Sequence, residues 1–169
     1  MWGRRGIVLR ELNQEHIRKL VEIINQAPYF KLLSMVIKEL GPGLCRAEVD
    51  LENKHLNPFG GVHGGVYSSL IDTAAYWAVY CDVAEDAGLI SLDVGVDMLA
   101  PIKEGRLLVE GKRIKAGWQV CIAEAAIWDD KGKLLAHGTS KQMLIPGLQT
   151  IAQALASMGY EALPPKFAA

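Results

Sequence analysis

The chain is 169 residues long, half of them hydrophobic, with 18 basic against 19 acidic side chains and a formal net charge of -1. That length holds one sizeable core rather than two, and near-neutrality leaves no field to draw the protein onto nucleic acid or an anionic membrane. Cys45, Cys81 and Cys121 form no CxxC pair, so neither a zinc site nor a redox couple is expected. The start, broken by Arg4, Arg5 and Arg10, is too brief an apolar stretch for a secretory signal, and no apolar run approaches the ~20 residues of a bilayer span. The expectation is a soluble protein of the reducing cytoplasm.

In chain order, Ile17, Leu20, Val21 and Ile24 first recur on one helix face, between Asn13 as N-cap and Pro28 as stop. An apolar segment at 32–40, the turn Gly41-Pro42-Gly43 and the alternating stretch 44–51 make a β-hairpin. Residues 52–63, rich in Asn, Gly and Pro, form a loop. Residues 64–83 contain no Pro and are apolar nearly all round, and a helix without a solvent face must be enclosed by the rest of the fold. Then Leu92, Val94, Val96 and Met98 alternate with Asp93, Gly95 and Asp97 up to Pro101, and strands at 106–114, 119–128 and 134–145 follow with short turns between them. Such connections make an antiparallel meander. The end carries a short helix at 148–158 and a Pro-rich stretch to which no structure is assigned.

The fold class these elements predict is α+β, a curved antiparallel β-sheet wrapped around a long central α-helix. Residues 1–30 read as an N-terminal helical extension, 31–146 as the main domain and 147–169 as a helical or irregular tail. An open sheet edge invites pairing with a second copy.

On the enclosed helix, Ser68, Ser69, Asp72, Thr73 and Tyr76 fall in one narrow stripe. A carboxylate in apolar surroundings costs several kcal/mol unless it is hydrogen-bonded or paired. The segment has no Lys or Arg, so Asp72 is either an acceptor satisfied from elsewhere in the fold or a group with a chemical task. Just upstream, a loop with Gly60 and Gly61 runs into the helix N-terminus at Gly64 and Gly65. Glycines there admit a ligand to the backbone, and unpaired first-turn N–H groups favour developing negative charge, as an oxyanion hole requires. A turn that only lets the chain enter a crowded helix has the same composition. No GxxxxGK[ST], GxSxG or HExxH motif is present. His16, His55 and His137 are isolated and read as surface or packing residues, Lys112, Arg113 and Lys115 as a solvated strand edge, and Trp77, Trp118 and Trp128 as core or interface.

Residues 57–72, NPFGGVHGGVYSSLID, resemble the N-x-x-G-x-x-H-G-G-x-x-x-x-L-x-D signature of the PaaI-like branch of hotdog-fold thioesterases. The likeness extends in element order over 32–145, including Ala100-Pro101 and the last-strand run Leu135-Ala136-His137-Gly138-Thr139. What the resemblance implies is an acyl-coenzyme A thioesterase with a hotdog fold. By that likeness Asp72 activates water or attacks the thioester carbonyl itself, the Gly64 N–H polarises the carbonyl oxygen, Asn57 holds the water or acyl group and His63 shapes the loop. Gly65, Ser69, Thr73 and Ser91 complete the implied substrate-binding set, although plain alternation puts Ser91 on the face of Asp93. The likeness further implies a homodimer or dimer of dimers in which Asn57 and Gly64 of one subunit meet Asp72 of the other. Coenzyme A would enter only as part of the substrate, with no metal and no organic cofactor. Two other functions share the motif: a hotdog enoyl-coenzyme A hydratase or dehydratase, for which His63 would have to face the site, and an acyl-coenzyme A-binding module without turnover. The opening helix and the tail exceed the minimal family core, where they would cover the acyl tunnel or extend the oligomer contact.

Overall fold

The computed structural model describes residues 11–168. Helix α1 (Gln14–Ile24) begins where the Asn13 side chain accepts a hydrogen bond from the Glu15 N–H at 3.0 Å, and it buries Ile17, Leu20 and Ile24 on one face. Asn25 ends it and turns its amide onto the first strand, bonding both main-chain groups of Ile37 at 2.9 and 3.0 Å. Pro28, read from the sequence as a stop, instead opens a second short helix, α2 (Pro28–Leu32), at the position where its missing N–H is not needed.

Strands β1 (Met35–Gly41) and β2 (Leu44–Asp50) form the expected hairpin, turning through Gly43 at φ +68°. After a 3-10 turn at Asn53–His55 comes the central helix α3 (Gly64–Tyr80), then β3 (Ala87–Met98), β4 (Arg106–Ala116), β5 (Val120–Asp129), β6 (Leu134–Pro146) and helix α4 (Ile151–Met158). The strands make one antiparallel sheet in the order β1-β2-β4-β5-β6-β3, so β1 and β3 are its edges. The sheet curves around α3, which touches all six strands. Leu70 and Ile71 are at most 1% exposed, and burying each contributes about 1.5–3 kcal/mol. The helix lies so close to β4 that a β-carbon on Gly111 would stand 2.2 Å from the Ala74 carbonyl oxygen.

The terminal segments pack onto the same core, with Leu20 of α1 and Leu155 of α4 only 1% and 3% exposed. The Pro-rich end forms no helix or strand beyond an isolated bridge between Phe167 and Leu12. It returns beside the start of α1, where the Asn13 N–H donates to the Lys166 carbonyl and the Ala168 N–H to that of Glu11, both at 2.9 Å. The Lys166 ammonium is fully buried and donates to the carbonyls of Tyr80 and Val83 at 2.5 and 2.7 Å, capping the far end of α3. Among the described residues no helix is long and apolar enough to cross a membrane.

Candidate functional site

The loop that enters α3 is tied to itself by Asn57. Its Oδ1 accepts from the Phe59 and Gly61 N–H groups at 2.9 and 3.3 Å, while Nδ2 has only a 3.5 Å contact with the Val62 carbonyl. His55 anchors the loop from below: it is fully buried, accepts from the Glu52 N–H at 2.9 Å and donates to the Leu33 carbonyl at 2.9 Å. His63 is the N-cap of α3, and its Nδ1 accepts from the Gly65 N–H at 2.9 Å. The preceding donor, the Gly64 N–H, has no acceptor among the described residues. It is therefore the free first-turn N–H that the glycine motif suggested. The Met98 side chain covers Gly64 so closely that a β-carbon there would lie 2.5 Å from the methionine methyl.

Asp72 sits two turns further along α3. It is half-buried rather than enclosed, because α3 there faces β3 at the open sheet edge. Its Oδ1 accepts from the Ser91 hydroxyl at 2.7 Å and, more loosely, from Ser140 at 3.4 Å. Ser140 in turn accepts from the Gln142 amide at 2.9 Å, and the buried Gln142 carbonyl oxygen has no partner among the described residues. Asp72 Oδ2 receives no hydrogen bond among the described residues. The Ser91 contact corrects the alternation argument. The pairing of β3 with β6 shifts between Ser91 and Asp93, so Leu92 is an extra residue in a bulge; Ser91 then points at the helix while Asp93 points out to an ion pair with Lys141.

The other expected residues are brought near without converging on Asp72. The Ser69 hydroxyl donates to the Gly65 carbonyl at 2.8 Å and lies 2.6 Å from the Tyr29 hydroxyl of α2, and Thr73 is half-buried with no hydrogen-bond partner among the described residues. Ser140 and Gln142 escaped the sequence reading. Their signal was two polar residues at alternate, inward positions of a strand that faces an apolar helix. The remaining reactive groups are quiet: burial pushes the Cys45 and Cys81 thiols up to about 12. Lys112 and Arg113 are spent on ion pairs with Glu110 and Asp82. Among the described residues no three His, Cys, Asp or Glu side chains gather as metal ligands would.

A curved antiparallel sheet around one helix, with the loop and glycines at the helix start, can be set beside known proteins. The family model of the thioesterase superfamily matches residues 59–136, the span from the entry loop to the last strand. Over that span the chain is similar to the thioesterase superfamily. Among its relatives, acyl-coenzyme A thioesterase 13 of Mus musculus is 24% identical over 128 residues, covering 73% of this chain and 91% of the relative. A crystal structure of a Haemophilus influenzae thioesterase superposes with a TM-score of 0.72 at 21% identity, over 78% of this chain and 91% of that one. Zebra fish thioesterase superfamily member 2 does so with a TM-score of 0.68 at 22% identity, over 76% and 96%. At these identities the two superpositions establish the hotdog fold. The match to the superfamily model and the likeness to an acyl-coenzyme A thioesterase support thioester hydrolysis as the general reaction.

Proposed function

We propose that the chain hydrolyses acyl-coenzyme A thioesters in a homodimer, each site taking Asp72 from one copy and Gly64 and Asn57 from the other. The choice of ester is supported by the mouse relative, an acyl-coenzyme A thioesterase by name. The observation that carries the reading is a carboxylate held through Oδ1 alone, on a helix whose first N–H is unclaimed.

Eight residues of helix separate Gly64 from Asp72, about 12 Å at 1.5 Å per residue, too far for both to act on one carbonyl group. Strand β3 supports the remedy. It is a 12-residue edge strand, and Leu92 and Met98 on it are 54% and 56% exposed. Unpaired edges of this kind template a second copy. Met98 lies on Gly64 and Ser91 reaches Asp72, so β3 carries one half-site at its Met98 end and the other near its middle, at Ser91. Two β3 strands paired antiparallel about a two-fold axis between Ser91 and Met98 set the Met98 of one against the Ser91 of the other. One copy's Gly64 then comes to the other's Asp72.

In that arrangement Asp72 Oδ2 accepts a proton from water as the water oxygen bonds to the thioester carbonyl carbon. The C=O π pair moves onto oxygen, where the Gly64 N–H donates to it. Collapse re-forms C=O and breaks the C–S bond. The pair goes to the coenzyme A sulfur, which takes the proton from Asp72. Asn57 Nδ2 is available to orient the water, and His63, spent on capping, keeps Gly64 and Gly65 in line. That use of His63 Nδ1 argues against a hydratase. Coenzyme A enters only as part of the substrate, and the scheme uses no metal.

Thiol release from a panel of acyl-coenzyme A esters tests the reading, with Asp72→Asn as control. Turnover by the wild type and its loss in the variant is expected. Equal turnover would remove Asp72 from the mechanism, and tight binding without turnover in both would make the protein a binding module.

A further inference from the structure

An apolar cavity of about 210 Å³ lies between α1, α2, α4 and the Tyr76–Trp77 part of α3. Leu20, Ile24, Phe30, Trp77, Leu155 and Met158 line it. Three of its four walls come from helices outside the residues that the family model matches. An enclosed cavity of ~150 Å³ lined by such side chains takes up benzene, and this half-open one has room for a larger apolar group.

The wall that α4 supplies is firmly seated. The β6–α4 connection lies on Gly88 of β3, where a β-carbon would stand 1.8 Å from the Leu148 carbonyl oxygen. Gln149 turns the chain at φ +51°, a left-handed conformation rare for a side-chain-bearing residue, and itself lines the cavity. Thr150 and Gln153 then close a reciprocal capping box at the start of α4.

The cavity reaches the stripe of α3 that carries Asp72. Tyr76, which forms part of its wall, is one helical turn, about 6 Å, beyond Asp72 on the same stripe. Burial pushes the Tyr76 phenol up, the Leu89 main chain offsets part of that, and the Asp72 carboxylate adds to the rise. Tyr76 thus senses the carboxylate and also lines the apolar space.

We propose that this cavity receives the far end of the acyl chain and makes the protein selective for straight aliphatic acyl groups of roughly six to ten carbons over acetyl. The inference rests on the thioesterase reading above. An acetyl group at Asp72 ends short of Tyr76, whereas each further methylene that enters the cavity raises kcat/KM by up to about fourfold.

The test uses Ala154→Phe, which fills the cavity from an otherwise exposed position on α4, and Met158→Ala, which enlarges it. Expected is an octanoyl-to-acetyl kcat/KM ratio of about 100 or more in the wild type. Ala154→Phe should lower the octanoyl value about tenfold and leave the acetyl value within about twofold, and Met158→Ala should move the optimum to longer chains. Equal kcat/KM for acetyl and octanoyl esters, or an equal fall for both in Ala154→Phe, would overturn the proposal. If the wild type releases no thiol from any ester, the hydrolase reading fails by itself. The cavity is then read by calorimetry with non-hydrolysable octanoyl- and acetyl-coenzyme A thioethers. Tighter octanoyl binding that Ala154→Phe abolishes supports it, and equal binding overturns it.

Discussion

Ser91→Ala isolates what holds the carboxylate. The Ser91 hydroxyl donates to Asp72 Oδ1 at 2.7 Å, while Ser140 is too far, at 3.4 Å, to replace it in full. A hydrogen bond to a charged acceptor contributes about 1.5–3 kcal/mol. If that energy fixes the carboxylate in its reactive orientation, losing it lowers kcat/KM by about 10- to 150-fold at 1.4 kcal/mol per factor of ten. Ser140→Ala should cost less, and Ser91→Thr, which keeps the hydroxyl, should recover most of the rate. The assay is steady-state thiol release from octanoyl-coenzyme A, with thermal unfolding measured on the same samples to confirm an intact fold. A Ser91→Ala enzyme within twofold of wild type, or a Ser91→Thr enzyme as slow as Ser91→Ala, would refute the role.

Burial of Lys166 lowers its pKa from 10.5 to about 8. Between those values the unfolded chain holds a proton that the folded chain lacks, so stability should rise with pH across that window by about 3 kcal/mol and be flat below about pH 8, where both states are protonated. Urea midpoints at pH 7.5, 9 and 10 measure the rise, and Lys166→Met should flatten it. Gly111→Ala forces a β-carbon against the Ala74 carbonyl, and an overpacked core contact of this kind costs about 1–3 kcal/mol or more. Calorimetry should therefore show a Tm lower by about 2–12 °C. Lysines at Leu92 and Val94, exposed on the β3 edge, should convert the proposed dimer to a monomer in sedimentation and abolish turnover; an active monomer would contradict the shared site.

Much of this architecture is legible in the sequence because its signals are local. The central helix declares itself by being apolar on every side, and β4 to β6 by short turns between alternating stretches. Asp72 and the glycines before it are conspicuous for the same reason, a polar stripe and a loop inside otherwise apolar chain. What depends on distant pairing is not legible. Leu92 looks like one more alternating residue, and only its pairing with β6 exposes the bulge that turns Ser91 inward. The Pro-rich end carries no periodic signal. Its placement comes from Asn13, about 150 residues away, whose side chain binds the Pro165 carbonyl, and from a lysine that caps a helix 86 residues earlier. Pro28 could equally stop one helix or start another, and the local sequence does not decide between them.

Mixing two inactive variants tests the division of the site between copies most directly. Gly64→Pro deletes the one N–H at the first helical position, where proline is accepted; His63 before it already has the extended φ -69°, ψ 135° that a proline favours. Asp72→Asn removes the proposed base. Each homodimer should be nearly inactive, and co-refolding equal amounts should restore about a quarter of wild-type turnover, since about half of the dimers are mixed and each mixed dimer holds one intact site. Mixed dimers that form, as native mass spectrometry would show, yet recover no activity would mean that Asp72 and Gly64 do not act together across the interface.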